Sequence, residues 1–463
     1  MTTIVGMRGF LASSIGVTCA AALALPLTLP TASHAAAPPA QESLPGTTQS
    51  LPLASLTTTR AAGSLQEQGL HRRDVRPFSL VGVVWDNPDA QLHGHVQVRT
   101  RTTGTTTWSA WQDVETHNDD APDPDTDEHT AGTVRGSTAP LWVGDSDGVE
   151  VRVQAEPADE TRATGHSAGQ TTEPAAEPLP KGLRLELVDP GEEPPAQGPQ
   201  SDTARGATLT AESAAASAVN ADLAPLGANV IPALSKKETE DDLIAARGGE
   251  AEVKAGAPQA RPYVGPRPRI ITRKGWGADE KLRERKLGYT KTVKAAFVHH
   301  SASGNNYRCS QAPSVIRSIY RYHVKSSGWR DIGYNFLVDK CGNIYEGRAG
   351  GVAKPVMGAH TLGFNTNSMG VAVLGTFGSS NPPAAAVNAI ARLTAWKLGL
   401  FGANPRGTTY LKSGGGNLYR KGKNVRLKVI SGHRDGFATE CPGRRLYKKL
   451  GTARSSSAHL QGR

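Results

Sequence analysis

The sequence has little cysteine, few aromatic residues and no long apolar run after residue 30. Its 463 residues include four cysteines, and aromatic residues make up 5% of the chain. A helix that crosses a bilayer needs about 20 consecutive apolar residues, so we predict no transmembrane segment after the N-terminal run. Because aromatic residues are few and no nucleic-acid-binding motif is present, we also predict that nucleic acid is not a partner.

The single long apolar run, over residues 10–29, has the features of a secretory signal peptide. It is followed by small residues, Ser33 and Ala35, at the usual cleavage spacing. A transmembrane anchor is the alternative, but two prolines interrupt the run. We therefore predict that residues 1–35 are a cleaved signal peptide and that the mature protein is secreted.

Acidic residues are rare in the C-terminal part of the chain. Residues 267–463 contain 34 Lys and Arg against 8 Asp and Glu, a net charge of +26, whereas the whole chain carries +10. The residues before 267 therefore carry −16. A charge of this size on an exported domain predicts a polyanionic partner, and anionic wall polymers such as teichoic acids fit secretion better than nucleic acid. A solvated basic face without a partner is the alternative.

Composition divides the N-terminal half of the chain. Residues 36–74 are rich in Pro, Thr, Ala and Ser and are predicted to be disordered. Short alternating runs separated by turn residues predict a small, all-β, sandwich-like domain over 75–189, with a role left open between wall targeting and regulation. The acidic run 119–128 within it lacks EF-hand spacing, so we predict a solvated loop rather than a calcium site. Residues 190–265 are predicted to be an Ala/Pro/Gly-rich linker with a short helix near 236–247.

Residues 266–455 predict a mixed α/β domain with a mixed central β-sheet flanked by helices. Apolar runs alternate with segments of helical periodicity in this part of the chain. The continuous apolar run at 369–375 suits a strand that is covered on both faces. The predicted elements are helices over 313–327 and 383–400, a tight hairpin over 333–346, a loop or hairpin over 402–424 and a last strand over 425–431.

Two apolar runs in this domain end in histidine. His299 and His300 close the first run, and His433 follows the second, with Cys441 eight positions further on. Two strand ends can bring His299, His433 and Cys441 to one point. Two imidazoles and a thiolate suit zinc, and three protein ligands leave the fourth position open, as a zinc hydrolase requires. His300 is the competing ligand, because successive strand residues point to opposite faces.

The cysteine count supports one disulfide and one metal-bound thiol. Cys19 leaves with the signal peptide, so an odd number remains. In an oxidising compartment we pair Cys309 with Cys341, which closes a loop of about 30 residues. Cys441 is then assigned to zinc, and a free buried thiol is the alternative.

These motifs resemble the zinc-dependent N-acetylmuramoyl-L-alanine amidases of the peptidoglycan recognition protein type, in their secreted, actinobacterial form. The order and spacing of the motifs are similar to those of the family over about residues 269–450. The motifs that carry the resemblance are Arg273-Lys274-Gly275-Trp276-Gly277-Ala278, Phe297-Val298-His299-His300-Ser301, Asp331-Ile332-Gly333-Tyr334-Asn335-Phe336, Ile344-Tyr345-Glu346-Gly347-Arg348, Gly358-Ala359-His360 and Gly432-His433-Arg434-Asp435 with Cys441-Pro442-Gly443.

The resemblance implies a monomeric, secreted and wall-associated enzyme with one Zn²⁺ per amidase domain. Its ligands would be His299, His433 and Cys441, and it would hydrolyse the amide bond between N-acetylmuramic acid and L-alanine of peptidoglycan. The alternative is a non-catalytic peptidoglycan-binding protein, but such relatives lack the cysteine ligand. A basic nucleic-acid-binding protein is a third hypothesis, which export disfavours.

The resemblance also implies roles for residues around the metal. Tyr334 matches a catalytic helper whose phenol could steady the oxyanion, and Thr439 stands where phage relatives carry a lysine and is assigned to catalysis. His360, His300 and Arg348 are assigned to substrate binding. A buried aromatic of the hairpin is the alternative for Tyr334, and a structural histidine is the alternative for His360.

Two features of the reaction stay open at this point. Asp435 and Glu440 flank the ligands, but their spacing identifies neither as a general base, so the proton shuttle is unassigned. The residues at 349–352 differ from the aromatic-bearing pattern with which relatives discriminate stem peptides. The preferred diamino acid therefore stays unassigned as well.

Association with cell walls is expected to depend on salt. Attraction between the basic C-terminal part and anionic polymers is screened beyond about 8 Å at physiological ionic strength. The fraction of protein that sediments with purified walls should therefore fall several-fold from low to high salt. Sedimentation at stepwise sodium chloride concentrations measures it, and binding that stays constant would contradict electrostatic tethering.

Overall fold

The computed structural model describes residues 45–56, 66–116, 120–156, 178–192, 209–251 and 262–463. The predicted signal peptide lies outside these residues. Every described residue belongs to one contact-defined unit, Ser43–Arg463. Within these ranges, no helix is long and apolar enough to cross a membrane.

The N-terminal part of the chain is an all-β domain built on one antiparallel sheet, which confirms the predicted class. Its elements are β1 (Pro45–Pro52), β2 (Ala54–Ser55), β3 (Glu67–Trp85), β4 (Gly94–Thr102), β5 (Gln112–Val114), α1 (Asp127–Thr130), β6 (Gly136–Ser137), β7 (Leu141–Ala155) and β8 (Arg184–Gly191). The sheet order is β1-β8-β3-β7-β4-β5, and β2 and β6 pair with β3. In β4 the valines Val96 and Val98 are buried and the residues between and beside them are more exposed, as expected for a strand with one face on the core.

The disorder predicted for 36–74 is wrong for the part that the structure describes. β1 pairs antiparallel with β8 from Pro45↔Gly191 to Pro52↔Arg184, and β3 begins at Glu67. Local composition gave no sign of this pairing because the partner strand lies more than 130 residues away in the sequence.

The C-terminal part contains a seven-stranded mixed sheet flanked by helices, which confirms the second predicted class. The sheet order is β17-β11-β14-β12-β13-β10-β9, and the β12–β13 and β9–β10 pairs are antiparallel while the others are parallel. The elements are α2 (Ala211–Ala218), β9 (Val230–Ile231), α3 (Lys236–Ala251), β10 (Ile270–Ile271), β11 (Ala295–His300), α4 (Ala312–Arg321), β12 (Phe336–Val338), β13 (Ile344–Glu346), β14 (Ser368–Val373), α5 (Ala384–Leu400), β15 (Thr408–Lys412), β16 (Asn424–Lys428), β17 (Ile430–Gly432), α6 (Arg444–Tyr447) and α7 (Leu450–Gln461).

The central strand β14 is covered on both faces. Val371 and Val373 belong to the hydrophobic cluster that includes Ile390 of α5. Ala372, between them, belongs to the cluster that includes Val315 of α4. Successive side chains of a strand point to opposite faces, so a continuous apolar run places one helix on each side of the sheet.

Two sequence predictions on the borders of this domain need correction. The linker predicted over 190–265 contains α2, β9 and α3, and Ile231 of β9 pairs with Ile270 at the edge of the sheet. The single last strand predicted over 425–431 is two strands. β16 pairs with β15 in a separate hairpin, whereas β17 pairs parallel with β11. A kink between two short apolar runs is not visible in hydrophobic periodicity, which explains the second error.

The two sheets share hydrophobic packing around α4. Leu80 and Val188 of the N-terminal sheet lie in the same cluster as the apolar face of α4. The Tyr322 hydroxyl, just after α4, lies 3.3 Å from the carbonyl oxygen of Val83 and 3.1 Å from that of Thr138. These contacts fix the β domain against the helix that supports the seven-stranded sheet.

A disulfide joins Cys309 to Cys341 with a Cα–Cα distance of 6.2 Å. Cys309 begins the short turn before α4, and Cys341 lies in the turn between β12 and β13. In the loop-entropy picture a covalent link of this separation stabilises the folded state by about 3–4 kcal/mol.

Glu346, at the end of β13, is a buried carboxyl in the core of the fold. Its side-chain oxygens accept hydrogen bonds from the Asn220 amide at 2.8 Å and from the Arg273 backbone N–H at 3.1 Å. Burial raises the pKa of Glu346 from its ordinary value of 4.5 to about 7. The protonated form is therefore favoured in the folded protein at mildly acidic pH.

We expect Glu346 to make the stability of the fold depend on pH. Since the folded-state pKa lies above the unfolded one, the folded protein binds more protons between about pH 4.5 and 7, and its free energy of unfolding falls over that window as pH rises. The loss is on the order of 3 kcal/mol. Glu346→Gln, which cannot ionise, should lose less stability than the wild type between pH 5 and pH 8. Urea unfolding at both pH values measures this, and equal pH dependence of the two proteins would contradict it.

Candidate metal centre

Three side chains meet where two neighbouring parallel strands of the seven-stranded sheet end. β11 carries His299, and β17, its hydrogen-bonded neighbour, ends immediately before His433. The turn that follows brings Cys441 back to the same point. The candidate ligand atoms of His299, His433 and Cys441 all lie within 4.8 Å of one another, and all three residues are fully buried.

Asp435 holds the turn that leads from His433 to Cys441. Its carboxylate accepts hydrogen bonds from the Gly432 backbone N–H at 2.9 Å and from the Tyr447 hydroxyl at 2.6 Å. Thr439 lies in the same turn, and its hydroxyl oxygen accepts the Cys441 backbone N–H at 3.2 Å. Both side chains therefore position the ligand loop.

His300 faces away from this cluster, as strand alternation requires. Its Nε2 lies 3.1 Å from a carboxylate oxygen of Glu115, and its Nδ1 accepts the Phe377 backbone N–H at 3.2 Å. Both ring nitrogens are thus engaged within the protein. The structure therefore does not bring His300, which the sequence assigned to substrate binding, together with the other site residues.

The electrostatic setting favours neutral imidazoles. Burial lowers the pKa of His299 and of His433 to about 3, and raises that of the Cys441 thiol well above its ordinary value. Neutral imidazole is the form that binds a metal, and a thiol at this depth needs a cation to compensate its thiolate. Both ring nitrogens of His433 are buried, and neither makes a hydrogen bond among the described residues. Two imidazoles and a thiol therefore fit zinc, for which they are common ligands.

Further histidine and tyrosine side chains line the cluster. The Nε2 of His299 lies 3.4 Å from the hydroxyl of Thr361, which also contacts the Nδ1 of His360 at 3.0 Å. This hydrogen bond leaves the Nδ1 of His299 to face Cys441, whose sulfur is 3.7 Å away. The rings of Tyr334 and His299 are 5.5 Å apart between centroids. Tyr334 and His360 thus adjoin the three candidate ligands, as the resemblance implied.

Sequence reasoning missed Asp120, which lies at the centre of the site. One carboxylate oxygen is 3.1 Å from the Nδ1 of His299 and 3.3 Å from the Nδ1 of His433. The other accepts the Tyr334 hydroxyl at 2.5 Å. Asp120 belongs to the N-terminal β domain, and its position in the acidic run was the only available signal.

The solvated loop predicted for 119–128 is wrong for its described part, residues 120–128, which we call the acidic segment. Asp120, Asp123 and Glu128 are 8%, 6% and 3% exposed. Hydrogen-bond donors more than 200 residues away in the sequence bury these carboxylates, and no local pattern reveals such donors.

The Arg348 guanidinium forms an ion pair with Glu128 of the acidic segment. It donates to both carboxylate oxygens of Glu128, at 2.8 and 2.9 Å, and to the Ile332 carbonyl at 2.9 Å. Although burial opposes the shift, the Arg348 charge lowers the pKa of Glu128 below its ordinary value. The residue assigned to substrate binding is therefore paired with a protein carboxylate.

Comparison with known proteins identifies two family profiles along the chain. A family profile described as N-acetylmuramoyl-L-alanine amidase matches residues 289–444, and a second, described as Rv3811 N-terminal galactose-binding domain-like, matches residues 35–178. The chain belongs to the family of peptidoglycan recognition proteins and N-acetylmuramoyl-L-alanine amidases, which confirms the resemblance read from its motifs.

Individual relatives match the C-terminal part of the chain. Peptidoglycan-recognition protein SC2 of Drosophila melanogaster is 30% identical over 185 residues, which are 40% of this chain and 85% of that protein. Human N-acetylmuramoyl-L-alanine amidase is 31% identical over 195 residues, 40% of this chain and 28% of that protein. Among solved structures, Drosophila peptidoglycan recognition protein-LE in complex with tracheal cytotoxin is 32% identical over 40% of this chain and 92% of its own, with a TM-score of 0.31.

Loss of the thiol is expected to weaken metal binding. Cys441→Ala removes one of the three converging donors, and we expect zinc affinity to fall by at least ~100-fold, because even outer partners of a metal site contribute 10–100-fold. Competition with a chromophoric chelator measures the affinity. His300→Gln, a change of the neighbouring residue on the same strand, is the matched control and should retain zinc. An equal loss in both variants would contradict the ligand assignment.

Proposed function

We propose that this protein is an exported zinc-dependent N-acetylmuramoyl-L-alanine amidase that hydrolyses the amide bond between N-acetylmuramic acid and L-alanine of peptidoglycan. The observation that carries the proposal is the convergence of His299, His433 and Cys441 beside Tyr334 in a chain of this family. The same donor set would be superfluous in a protein that only binds its ligand.

The three donors would bind the ion in different protonation states. Burial holds His299 and His433 neutral, and Cys441 would bind the ion as a thiolate. When bound, zinc polarises the scissile carbonyl and activates water at neutral pH. Thr361 fixes the orientation of the His299 ring through its Nε2, and Thr439 fixes the Cys441 loop, so both act as positioning residues.

Tyr334 is the proposed catalytic hydrogen-bond donor. Its hydroxyl donates a hydrogen bond to a carboxylate oxygen of Asp120, so it points toward a negatively charged oxygen beside the candidate ligands. In the reaction the same phenol would donate to the carbonyl oxygen of the scissile amide as that oxygen gains charge. His360 is retained as a proposed substrate contact, because its buried Nε2 has no hydrogen-bond partner among the described residues.

Arg348 and the basic surface supply the proposed contacts to an anionic wall. Arg348 pairs bidentately with a carboxylate in this structure, which is the geometry with which it would hold a carboxylate of the peptide stem. After residue 266 there are 34 basic and 8 acidic residues, and this positive charge favours retention on anionic wall polymers. With the predicted signal peptide, these features support a secreted, wall-associated enzyme.

Removal of the Tyr334 hydroxyl tests the proposed chemistry. Zinc-loaded protein, incubated for long periods with purified peptidoglycan, should generate new amino termini on L-alanine. Tyr334→Phe should lower the rate constant by about 10²–10³-fold, the usual effect of losing one oxyanion donor, while zinc content stays unchanged.

Cys441→Ala is the matched variant and should lose release and zinc together. Peptidoglycan binding without release of amino termini by any zinc-loaded variant would instead identify a non-catalytic binding protein. A rate unchanged in Tyr334→Phe would remove the proposed role of the phenol but not the activity.

A further inference from the structure

We propose that the acidic segment is a built-in inhibitor of the site, in which Asp120 serves as a fourth protein ligand of the metal and Glu128 occupies the substrate-binding Arg348. The proposal rests on the amidase function proposed above. It assigns a role to the N-terminal β domain, which carries this segment.

Two distances from Asp120, those to the candidate histidine ligands, match the spacing of ligands around one metal ion. Two nitrogen or oxygen ligands about 2.0 Å from a tetrahedral zinc lie about 3.3 Å apart, and a nitrogen and a sulfur ligand lie about 3.5 Å apart. The Asp120 oxygen is 3.1 and 3.3 Å from the Nδ1 atoms of His299 and His433, and the His299 Nδ1 is 3.7 Å from the Cys441 sulfur. Carboxylate oxygen is an accepted zinc donor.

A fourth protein ligand changes the chemistry that the site can perform. Structural zinc sites have four protein ligands, whereas catalytic sites keep one position for water or substrate. With Asp120 bound, that position is filled. Asp120 also accepts the Tyr334 hydroxyl, so the proposed oxyanion donor is engaged at the same time.

The rest of the acidic segment occupies donors that an anionic substrate would need. Glu128 accepts hydrogen bonds from both Nη atoms of Arg348 and from the Arg330 backbone N–H, the last at 3.0 Å. Asp123 accepts the Gly363 backbone N–H and the Asn365 side-chain amide, each at 2.7 Å. Three carboxylates of the acidic segment thus satisfy donors of the C-terminal part in the manner of an acidic peptide.

Only the acidic segment has to leave for substrate to enter. The β domain is anchored separately, through the hydrophobic cluster around α4 and the contacts of Tyr322 with Val83 and Thr138. The segment can therefore exchange with an anionic stem peptide while its parent domain remains in place. If the docked form dominates, the apparent activity falls to the fraction of molecules in which the site is free.

The test measures zinc affinity and hydrolysis in the full-length secreted protein. Asp120→Ala should lower zinc affinity by at least about tenfold, because it removes a ligand. It should also raise the rate of peptidoglycan hydrolysis by at least about tenfold, because it frees the fourth position and Tyr334. These opposite changes are not expected from a structural role.

Two further variants make the result decisive. Asp120→Asn keeps the shape of the side chain and should act in the same direction if the alanine variant fails to fold. Asp125→Ala is the matched control, because the carboxylate of Asp125 belongs to the same segment but is 63% exposed, next to Lys421. It should leave both zinc affinity and hydrolysis unchanged.

The outcomes separate this proposal from the amidase function. Unchanged zinc affinity in both Asp120 variants would overturn the ligand assignment, and unchanged hydrolysis in active enzyme would overturn the inhibition. Lower zinc affinity without hydrolysis by any variant would support the ligand assignment and overturn the amidase function.

Discussion

The parallel pairing of β11 with β17 is the constraint on which the site depends. It aligns two strand ends so that His299 and His433 emerge side by side, although they lie 134 positions apart in the sequence. β11 is buried between β14 and β17, and the apolar run that makes it a central strand also fixes which of two adjacent histidines faces the cluster. The turn stabilised by Asp435 then needs only to return Cys441 to that point.

Burial has opposite effects on the two kinds of ligand. The low-dielectric surroundings keep both imidazoles neutral and disfavour the thiolate, so a cation is required before all three donors can act together. The same surroundings would make an isolated carboxylate costly. Asp120 is tolerated there because it lies among donors and in reach of the cation position. The burial of the site would thus influence both metal binding and the docking of the acidic segment.

Much of the C-terminal part could be predicted from sequence, because its information is local. The run at 369–375 and the amphipathic segment after Pro313 each report their own burial through periodicity. His299, His433 and Cys441 followed from motif spacing and Tyr334 from the family resemblance, and the structure brings these four side chains together.

The remaining features could not be predicted because they depend on distant partners. β1 gains its order from β8, β9 from β10, and the acidic segment from donors more than 200 residues further along the chain. Composition made the acidic segment look solvated, since charge normally lies at the surface. The N–H groups of Gly363 and Arg330 that donate to carboxylates of the acidic segment are backbone groups, which have no sequence signature.

The packing of the N-terminal sheet on α4 has a consequence for the modularity of the chain. Leu80, Val84, Trp142 and Val188 share one cluster with residues that support the seven-stranded sheet, so the border between the two parts is buried. A chain that began at residue 262 would expose the apolar flank of α4 to water and lose β9 from the sheet edge, and such patches promote self-association. The β domain is therefore not a detachable appendage, because a substitution in this shared cluster acts on both parts at once.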